Sequence, residues 1–337
     1  MYGDHDLAMA LNERDLIENI FAPLTRQGDG SVGLTDDAAF LPPNGLCDLV
    51  ITQDSLISEV HFRANDSPKN IARKSLRVNL SDLAAKGAVA HSYLLSIALP
   101  SNCKRCWVEE FAAGLASDQT TYGVKLIGGD TVRSPHALMI TITALGYIPR
   151  GKMVRRVGAN PGDNIYVTGT LGDSTLGLAV LNEFSPALQV LDEGARLHLC
   201  NRYFLPQPRT ALAPVLLDHA SAAMDISDGL LGDLTLLINA SNVSAKIDLN
   251  ALPISPSASA AIANDESLRK RAYTGGDDYE ILASVSPEAA SSFEDDAARV
   301  GVSVTCIGHI VVRDDLLILQ DSNEQAIKTD RLSFSHF

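Results

Sequence analysis

Residues 222–234 place two acidic side chains directly before a helix. Asp225 and Asp228 stand three positions apart, and the apolar residues that follow recur at helical spacing: Leu230, Leu234, Leu237 and Ile238. Ser227 or Asp228 is a suitable N-cap, so the carboxylates are expected at the positive end of that helix. Two interpretations stay open at this point: Asp228 only caps the helix, or the two acids bind a metal ion.

Similar acid-bearing turns recur along the whole chain, and the acids in them are Asp36, Asp37, Asp54, Asp82, Asp130, Asp225, Asp228, Asp277 and Asp278. Two of these acids follow short apolar runs, at residues 48–54 and 124–130, and are expected at the carboxyl ends of strands. Each acid taken alone is typical of a cap or of a solvated surface. Together, hard oxygen ligands without clustered His or Cys indicate Mg²⁺, and adjacent glycines let backbone approach a ligand. The set predicts Mg²⁺-nucleotide chemistry.

Helical and strand-like stretches alternate over 337 residues, which predicts an α/β or α+β fold with two domains. Residues 149–162 are rich in Pro, Gly and Arg, so the boundary is placed there, giving domains 1–150 and 151–337. Ser67-Pro68 predicts the start of a helix that ends near Gly87 and breaks at Asn79.

The charge and the cysteines restrict the class of partner and compartment. A net charge of −14 disfavours nucleic acid and anionic membranes as partners. The N-terminus lacks a basic, apolar leader, and the apolar run at 137–148 is too short to span a bilayer. The five cysteines are expected to be reduced thiols in a cytoplasmic protein, and Cys103 and Cys106 to be free rather than a zinc or redox pair.

Several of these stretches, in this order along nearly the whole chain, resemble the thiamine-monophosphate kinases of the aminoimidazole-ribonucleotide-synthetase-like superfamily. They are Asp36-Asp-Ala-Ala39, Asn79-Leu-Ser-Asp-Leu-Ala-Ala85, Leu126-Ile-Gly-Gly-Asp-Thr131, Met224-Asp-Ile-Ser-Asp-Gly-Leu230 and Gly275-Gly-Asp-Asp-Tyr-Glu280. The resemblance implies a two-domain fold whose N-terminal sheet pairs across a homodimer, with nucleotide in the cleft towards the C-terminal domain.

The same resemblance implies transfer of the ATP γ-phosphoryl group to thiamine monophosphate, giving thiamine diphosphate in the last step of its biosynthesis. It assigns several Mg²⁺ ions to Asp36, Thr52, Gln53, Asp54, Asp82, Asp130, Asp225 and Asp228, and the aspartates among these are the candidate catalytic residues. It assigns ATP contacts to Gly129, Asp130, Arg156 and Ser227. It assigns thiamine monophosphate contacts to His61, Asp277 and Phe334.

Three of these positions depart from the family pattern. Gln53 stands where Thr is usual, so its metal contact would use the backbone carbonyl. Asp277 replaces Glu and shortens the reach by one methylene. Phe334 replaces Trp and loses the indole N–H. The last two changes are expected to affect substrate affinity more than reaction type.

Two other functions remain open from the sequence. One is an amidine-forming synthetase of the purine pathway, which shares the superfamily. The other is a sensor or scaffold that binds Mg·ATP without turning it over. ATP consumption that depends on thiamine phosphate would distinguish the kinase from both.

Overall fold

The computed structural model describes residues 16–25, 45–313, 318–320 and 326–327. The chain divides into two compact units, one made of Met1–Asn79 with Ala90–Tyr147 and the other of Leu80–Val89 with Ile148–Phe337. Among the described residues, no helix is both long enough and apolar enough to cross a bilayer.

The first unit contains a four-stranded sheet, one long helix and the first part of another, whose residues 80–85 belong to the second unit. A π-helix at Ile17–Phe21 and a 3₁₀ helix at Ala22–Thr25 come first. The regular elements are β1 (Cys47–Ile57), α1 (Pro68–Ala85), β2 (Val89–Pro100), α2 (Arg105–Tyr122), β3 (Lys125–Ser134) and β4 (Met139–Pro149). The strand order is β1-β4-β2-β3, so β1 and β3 form the two edges of the sheet.

One face of this sheet is buried and the other is open. Alternate side chains such as Tyr93, Ile97 and Ile140 are buried, as expected for strands with one covered face. The residues between them stay accessible, and they include exposed apolar side chains at Leu49, Ile51, Val132 and Met139.

Helices α1 and α2 of the first unit cross at very short distance. A Cβ atom on Gly114 would lie 2.5 Å from the carbonyl oxygen of Lys69, so only glycine fits at this crossing. The fully buried Asp118 carboxylate of α2 joins the same helices, since it accepts hydrogen bonds from Arg77 and Arg73 of α1.

The second unit contains a seven-stranded mixed sheet of order β11-β10-β7-β9-β5-β8-β6. Its strands are β5 (Asn164–Thr168), β6 (Ala220–Ile226), β7 (Ser244–Asp248), β8 (Glu280–Val285), β9 (Val304–Val311), β10 (Ile318–Gln320) and β11 (Ala326–Ile327). Its helices are α3 (Asp173–Leu181), α4 (Pro186–Gln189), α5 (Glu193–Phe204), α6 (Ala213–His219), α7 (Leu230–Ser241), α8 (Pro256–Asn264), α9 (Ser267–Thr274) and α10 (Ala290–Arg299), with a 3₁₀ turn at Thr210–Leu212.

The hydrophobic core of this unit explains the helical spacing seen in the sequence. Leu230, Leu234, Leu237 and Ile238 of α7 are buried in one cluster with Met224 and Ile226 of β6. The apolar stripe of α7 therefore covers the strand that precedes it, which fixes the turn between them.

Helix α1 starts at Pro68, as predicted, but the predicted break at Asn79 is wrong. The Asn79 side chain is fully buried and satisfied inside a continuous helix, because Nδ2 donates to Ser75 O at 3.0 Å and Oδ1 accepts from the Asp54 N–H at 3.0 Å. The predicted strand ends are also wrong: β1 continues beyond Asp54 to Ile57, and β3 continues beyond Asp130 to Ser134. The α/β class with mixed helix and sheet is confirmed.

Candidate active site

The turn between β6 and α7 places the two acids that dominate the sequence pattern. Asp225 is the penultimate residue of β6 and is 7% exposed, while Asp228 lies beyond the strand and is half-buried. The N-cap of α7 is Gly229, with φ of 118° and no side-chain cap. The predicted N-cap at Ser227 or Asp228 is therefore wrong, and capping does not account for Asp228.

Asp233, in the first turn of α7, stabilises this turn instead. Its Oδ2 accepts the backbone N–H groups of Ser227, Asp228 and Gly229 at 3.0, 3.1 and 3.2 Å. Burial and the charge of Asp228 raise the pKa of Asp233 to about 7, although the three N–H donors oppose the shift. This role of Asp233 was not predicted from the sequence; an acid in the first turn after Ser-Asp-Gly is the signal that could have revealed it.

A second loop, residues 275–279 between α9 and β8, pairs with this turn through its backbone. The N–H of Asp277 donates to Ser227 O, and the N–H of Tyr279 donates to Ile226 O, both at 2.8 Å. A Cβ atom on Gly276 would lie 2.3 Å from Ser227 O, so this approach requires glycine. The two stretches Met224–Leu230 and Gly275–Glu280, which are far apart in sequence, thus form one site.

The two acids of the second loop lie in different environments. Asp277 is half-buried, whereas Asp278 is 2% exposed. Burial raises the pKa of Asp278 well above its usual value, while the Gly172 N–H and the Arg202 guanidinium oppose that shift. Asp278 is therefore a residue of the interior, and Asp277 is the more accessible of the two acids.

In the second unit, Lys86 lies within electrostatic range of Asp225, Asp82 and Arg156. Lys86, just after α1, donates from Nζ to Ala223 O at 2.8 Å. Burial lowers the pKa of Lys86; the carboxylates of Asp225 and Asp82 oppose this shift, and the guanidinium of Arg156 adds to it. Asp82, Arg156 and Asp225, all predicted site residues, are thus brought together. Lys86 was missed, because nothing in its local sequence shows that it approaches β6.

In the first unit, two of the predicted Mg²⁺ ligands on β1, Gln53 and Asp54, form hydrogen bonds with neighbouring residues. Gln53 Oε1 accepts from Thr143 Oγ1 at 2.8 Å, which leaves its backbone carbonyl as the predicted metal contact. Thr52 and Asp54 are half-buried on the other side of β1, since successive strand residues point to opposite faces. His61 Nδ1 accepts from the Ile57 N–H at 3.0 Å, so its proton is on Nε2 in the neutral ring.

Gly129 and Asp130 lie on the opposite edge of the same sheet, in β3. A Cβ atom on Gly129 would lie 1.8 Å from Leu95 O, so glycine is required by the pairing with β2. Asp130 is exposed and lies beside Ser96 of β2. With two strands between them, Asp130 and Asp54 are separated by roughly 14 Å, from a spacing of about 4.8 Å per strand. The sheet of one chain does not bring these two together.

Three of the predicted residues, Asp36, Asp37 and Phe334, lie outside the described residues. Within the described ranges, no three His, Cys, Asp or Glu side chains cluster as a metal site. Mg²⁺ commonly uses one or two carboxylates and takes its other ligands from water and substrate phosphates. Asp82 and Asp225, which both act on Lys86, supply oxygen donors of the required kind.

The sequence matches the N-terminal domain of AIR synthase related proteins over residues 35–148 and the C-terminal domain over residues 160–318. It is 42% identical over 302 residues to the thiamine-monophosphate kinase of Caulobacter vibrioides, covering 89% of this chain and 84% of that protein. The chain belongs to the thiamine-monophosphate kinase family. Solved structures of the family agree over nearly the full length.

A crystal structure of thiamine-monophosphate kinase from Stenotrophomonas maltophilia K279a matches with a TM-score of 0.82 at 36% identity, covering 94% of this chain and 99% of that one. AaThiL complexed with AMPPCP and TMP matches with a TM-score of 0.76 at 25% identity, covering 98% and 100%. The two-domain fold expected of a thiamine-monophosphate kinase is confirmed.

Proposed function

We propose that this protein transfers the γ-phosphoryl group of ATP to thiamine monophosphate and forms thiamine diphosphate, as the last step of thiamine diphosphate biosynthesis. The backbone pairing of the Asp277 turn with the Ser227 turn carries the proposal. It joins the residue expected to contact thiamine monophosphate to one expected to contact ATP. The relative AaThiL, solved with both AMPPCP and TMP, supports the same pair of substrates.

The acceptor needs little activation by the protein. A phosphate monoester has a second pKa near 6, so its attacking oxygen is already deprotonated at neutral pH. The barrier comes instead from repulsion between two anions and from their alignment. The protein contributes positive charge from Arg156, which is exposed, and from Lys86, which is anchored on Ala223 O.

The carboxylates of Asp82, Asp225 and Asp228 would hold Mg²⁺ in the second unit. By family resemblance, Thr52, Gln53, Asp54, Asp130 and Asp36 would hold further ions. When bound, Mg²⁺ supplies charge neutralisation on the phosphates. Asp233 keeps the 227–229 turn fixed while Ser227 contacts the nucleotide.

The transfer is proposed to be direct and in line, without a phosphorylated protein. No general base is required, because the acceptor is already an anion. The measurement is incubation with γ-labelled ATP alone, followed by denaturing separation. Label on the protein would contradict direct transfer.

The assembly proposed is a homodimer formed through the N-terminal sheet. The open face of that sheet carries the exposed apolar side chains of Leu49, Ile51, Val132 and Met139, which a second sheet would cover. Asp54 and Asp130 lie on its two edges. The two domains proposed, 1–150 and 151–337, differ from the compact units at the segment Leu80–Val89 and at residues 148–150.

The deciding experiment is incubation with ATP, Mg²⁺ and thiamine monophosphate, with chromatographic separation of the thiamine species. Thiamine diphosphate in equal amount to ADP, and no product from free thiamine, is the expected result. Asp225→Asn is expected to lower the rate by about 100-fold or more, as loss of a charge-stabilising group does. Nucleotide binding without product would favour the sensor, and ATP use with a purine-pathway amide would favour the synthetase.

A further inference from the structure

The Asp277 turn is continuous with a buried polar cluster in the second unit. Glu280, the first residue of β8, is fully buried. Its Oε1 accepts from Arg202 Nη2 at 2.7 Å and from Arg209 Nη2 at 2.5 Å. Its Oε2 accepts from Arg209 Nε and Thr168 Oγ1, both at 2.6 Å. Each carboxylate oxygen therefore has two donors, which fixes the base of the turn.

Asp278 ties the turn itself to this cluster and to helix α3. Its Oδ2 accepts from the Gly172 N–H at 2.7 Å, and its Oδ1 accepts from the Ser174 N–H at 3.3 Å. Its backbone carbonyl accepts from Arg202 Nη2 at 3.4 Å. Side chain and backbone of one residue are thus anchored on two different helices, α3 and α5.

The residues on either side of Asp278 have unusual backbone angles. Asp277 has φ of 73° and Tyr279 has φ of 51°. Residues other than glycine rarely adopt this left-handed region, because Cβ crowds the backbone there. Two such residues around one buried carboxylate mean that contacts of the turn, not its local preference, hold its shape.

The other side of the turn faces the candidate site. The N–H groups of Asp277 and Tyr279 donate to Ser227 O and Ile226 O. A shift of Asp278 away from Gly172 would therefore move Asp277 and weaken both of these bonds.

We propose that Asp278 is a positioning residue, whose buried carboxylate holds the left-handed turn so that Asp277 is correctly placed for the phosphate acceptor. Two consecutive acids of this loop then have separate roles: Asp277 contacts the substrate, and Asp278 acts only through Asp277. The inference rests on the proposed function for its kinetic consequence. Its structural part is measurable without any activity.

The structural test is amide hydrogen exchange in the Asp278→Asn variant, which keeps the size of the side chain but loses one acceptor. We expect the Asp277 and Tyr279 amides to exchange about tenfold faster or more, because their bonds depend on the shape of the turn. The matched control is Asp163→Asn. Asp163 is a buried aspartate, 4% exposed, that accepts the Asn160 N–H and two serine hydroxyls, and it lies just before β5, outside the Asp277 turn. Unchanged exchange in Asp278→Asn would overturn the proposal.

The kinetic test uses the same two variants. Asp278→Asn is expected to raise KM for thiamine monophosphate about tenfold or more while KM for ATP stays within about twofold. Asp163→Asn is expected to lower stability without changing either KM. Equal changes of both KM values in Asp278→Asn, or the same pattern in the control, would show a merely structural role and overturn the proposal.

A second variant tests the same proposal in case Asp278→Asn does not fold. Arg202→Lys keeps the positive charge but removes Nη2, the one nitrogen that donates to both the Asp278 carbonyl and Glu280 Oε1, and it is expected to change exchange and KM in the same direction. Wild-type protein that makes no thiamine diphosphate would remove the proposed function. The exchange rates would still decide whether Asp278 holds the turn.

Discussion

The backbone N–H of Asp277 donates to the carbonyl oxygen of Ser227 at 2.8 Å. This one bond connects two loops that are about fifty residues apart in the chain. The Ser227 loop follows β6 and the Asp277 loop precedes β8, and because these strands are antiparallel neighbours, the two loops meet at the same end of the strand pair. Both residues belong to stretches that resemble the thiamine-monophosphate kinase pattern.

Gly276→Ala is expected to separate the two loops. The new Cβ would lie 2.3 Å from Ser227 O, so the Asp277 turn must move. We expect kcat/KM for thiamine monophosphate to fall by about tenfold or more, equivalent to ~1.4 kcal/mol of transition-state binding. The control is Gly45→Ala, where nothing lies within 4 Å of the added atom. Equal kinetics in the two variants would contradict the prediction.

Asp233→Ala is expected to destabilise the second unit and to weaken ATP binding. It leaves the N–H groups of Ser227, Asp228 and Gly229 without their acceptor. A buried polar group without a partner costs ~1–3 kcal/mol, so urea unfolding should show a loss of at least that size. Asp248→Ala, at an exposed turn where the carboxylate accepts from the Asn250 N–H, is the control. A loss no larger than the control's would count against this account.

Asp118→Ala is expected to destabilise the first unit strongly. The buried carboxylate accepts from Arg77 Nε at 2.6 Å and Arg77 Nη2 at 2.9 Å, and Arg77 is itself 7% exposed at the side chain. Removing one partner of a buried ion pair costs ~3–5 kcal/mol. Glu109→Ala, which removes an exposed pair with Arg105, should cost no more than ~1 kcal/mol. Chemical denaturation of both variants measures the difference, and similar midpoints would refute it.

Cys103 is expected to react slowly with iodoacetamide at pH 8. Burial and the neighbouring Cys106 raise the pKa of the Cys103 thiol to about 11. Because the thiolate is the nucleophile and a pKa near 11 leaves only ~0.1% of it at pH 8, the rate should rise about tenfold per pH unit towards pH 10. Peptide mass spectrometry resolves this thiol from the other free cysteines. A rate at pH 8 equal to that of an unstructured cysteine peptide would contradict the prediction.

The sequence predicted the local parts of the candidate site well. Helix α7 was predicted from apolar spacing, because its buried stripe repeats within the segment itself. The start of α1 at Pro68 followed from Ser67-Pro68, because Ser67 Oγ accepts from the Asn70 N–H three residues later. Family membership also followed from the sequence alone, since the motifs are contiguous stretches.

Predictions that depended on how segments end were less accurate. Asp54 and Asp130 were expected at strand ends and lie inside β1 and β3, because hydrogen bonds from neighbouring strands extend both elements. The prediction of an N-cap at Ser227 or Asp228 was wrong, because the carboxylate of Asp233 accepts the N–H groups of the turn. For β1 and β3 the deciding partners are neighbouring strands, whereas for α7 the deciding partner is an acid of the same segment to which the pattern assigned no role.

The sequence by itself therefore determined the family and the fold class, and it predicted which acids belong to the candidate site. Only the tertiary structure decided which of them meet: Asp225 lies with Lys86 and Arg156, and Asp277 with Ser227, while Asp54 and Asp130 lie on opposite edges of one sheet. The physical reason is that periodicity and capping depend on neighbours a few residues away. Strand order and buried ion pairs depend on contacts between distant segments, which no local pattern records.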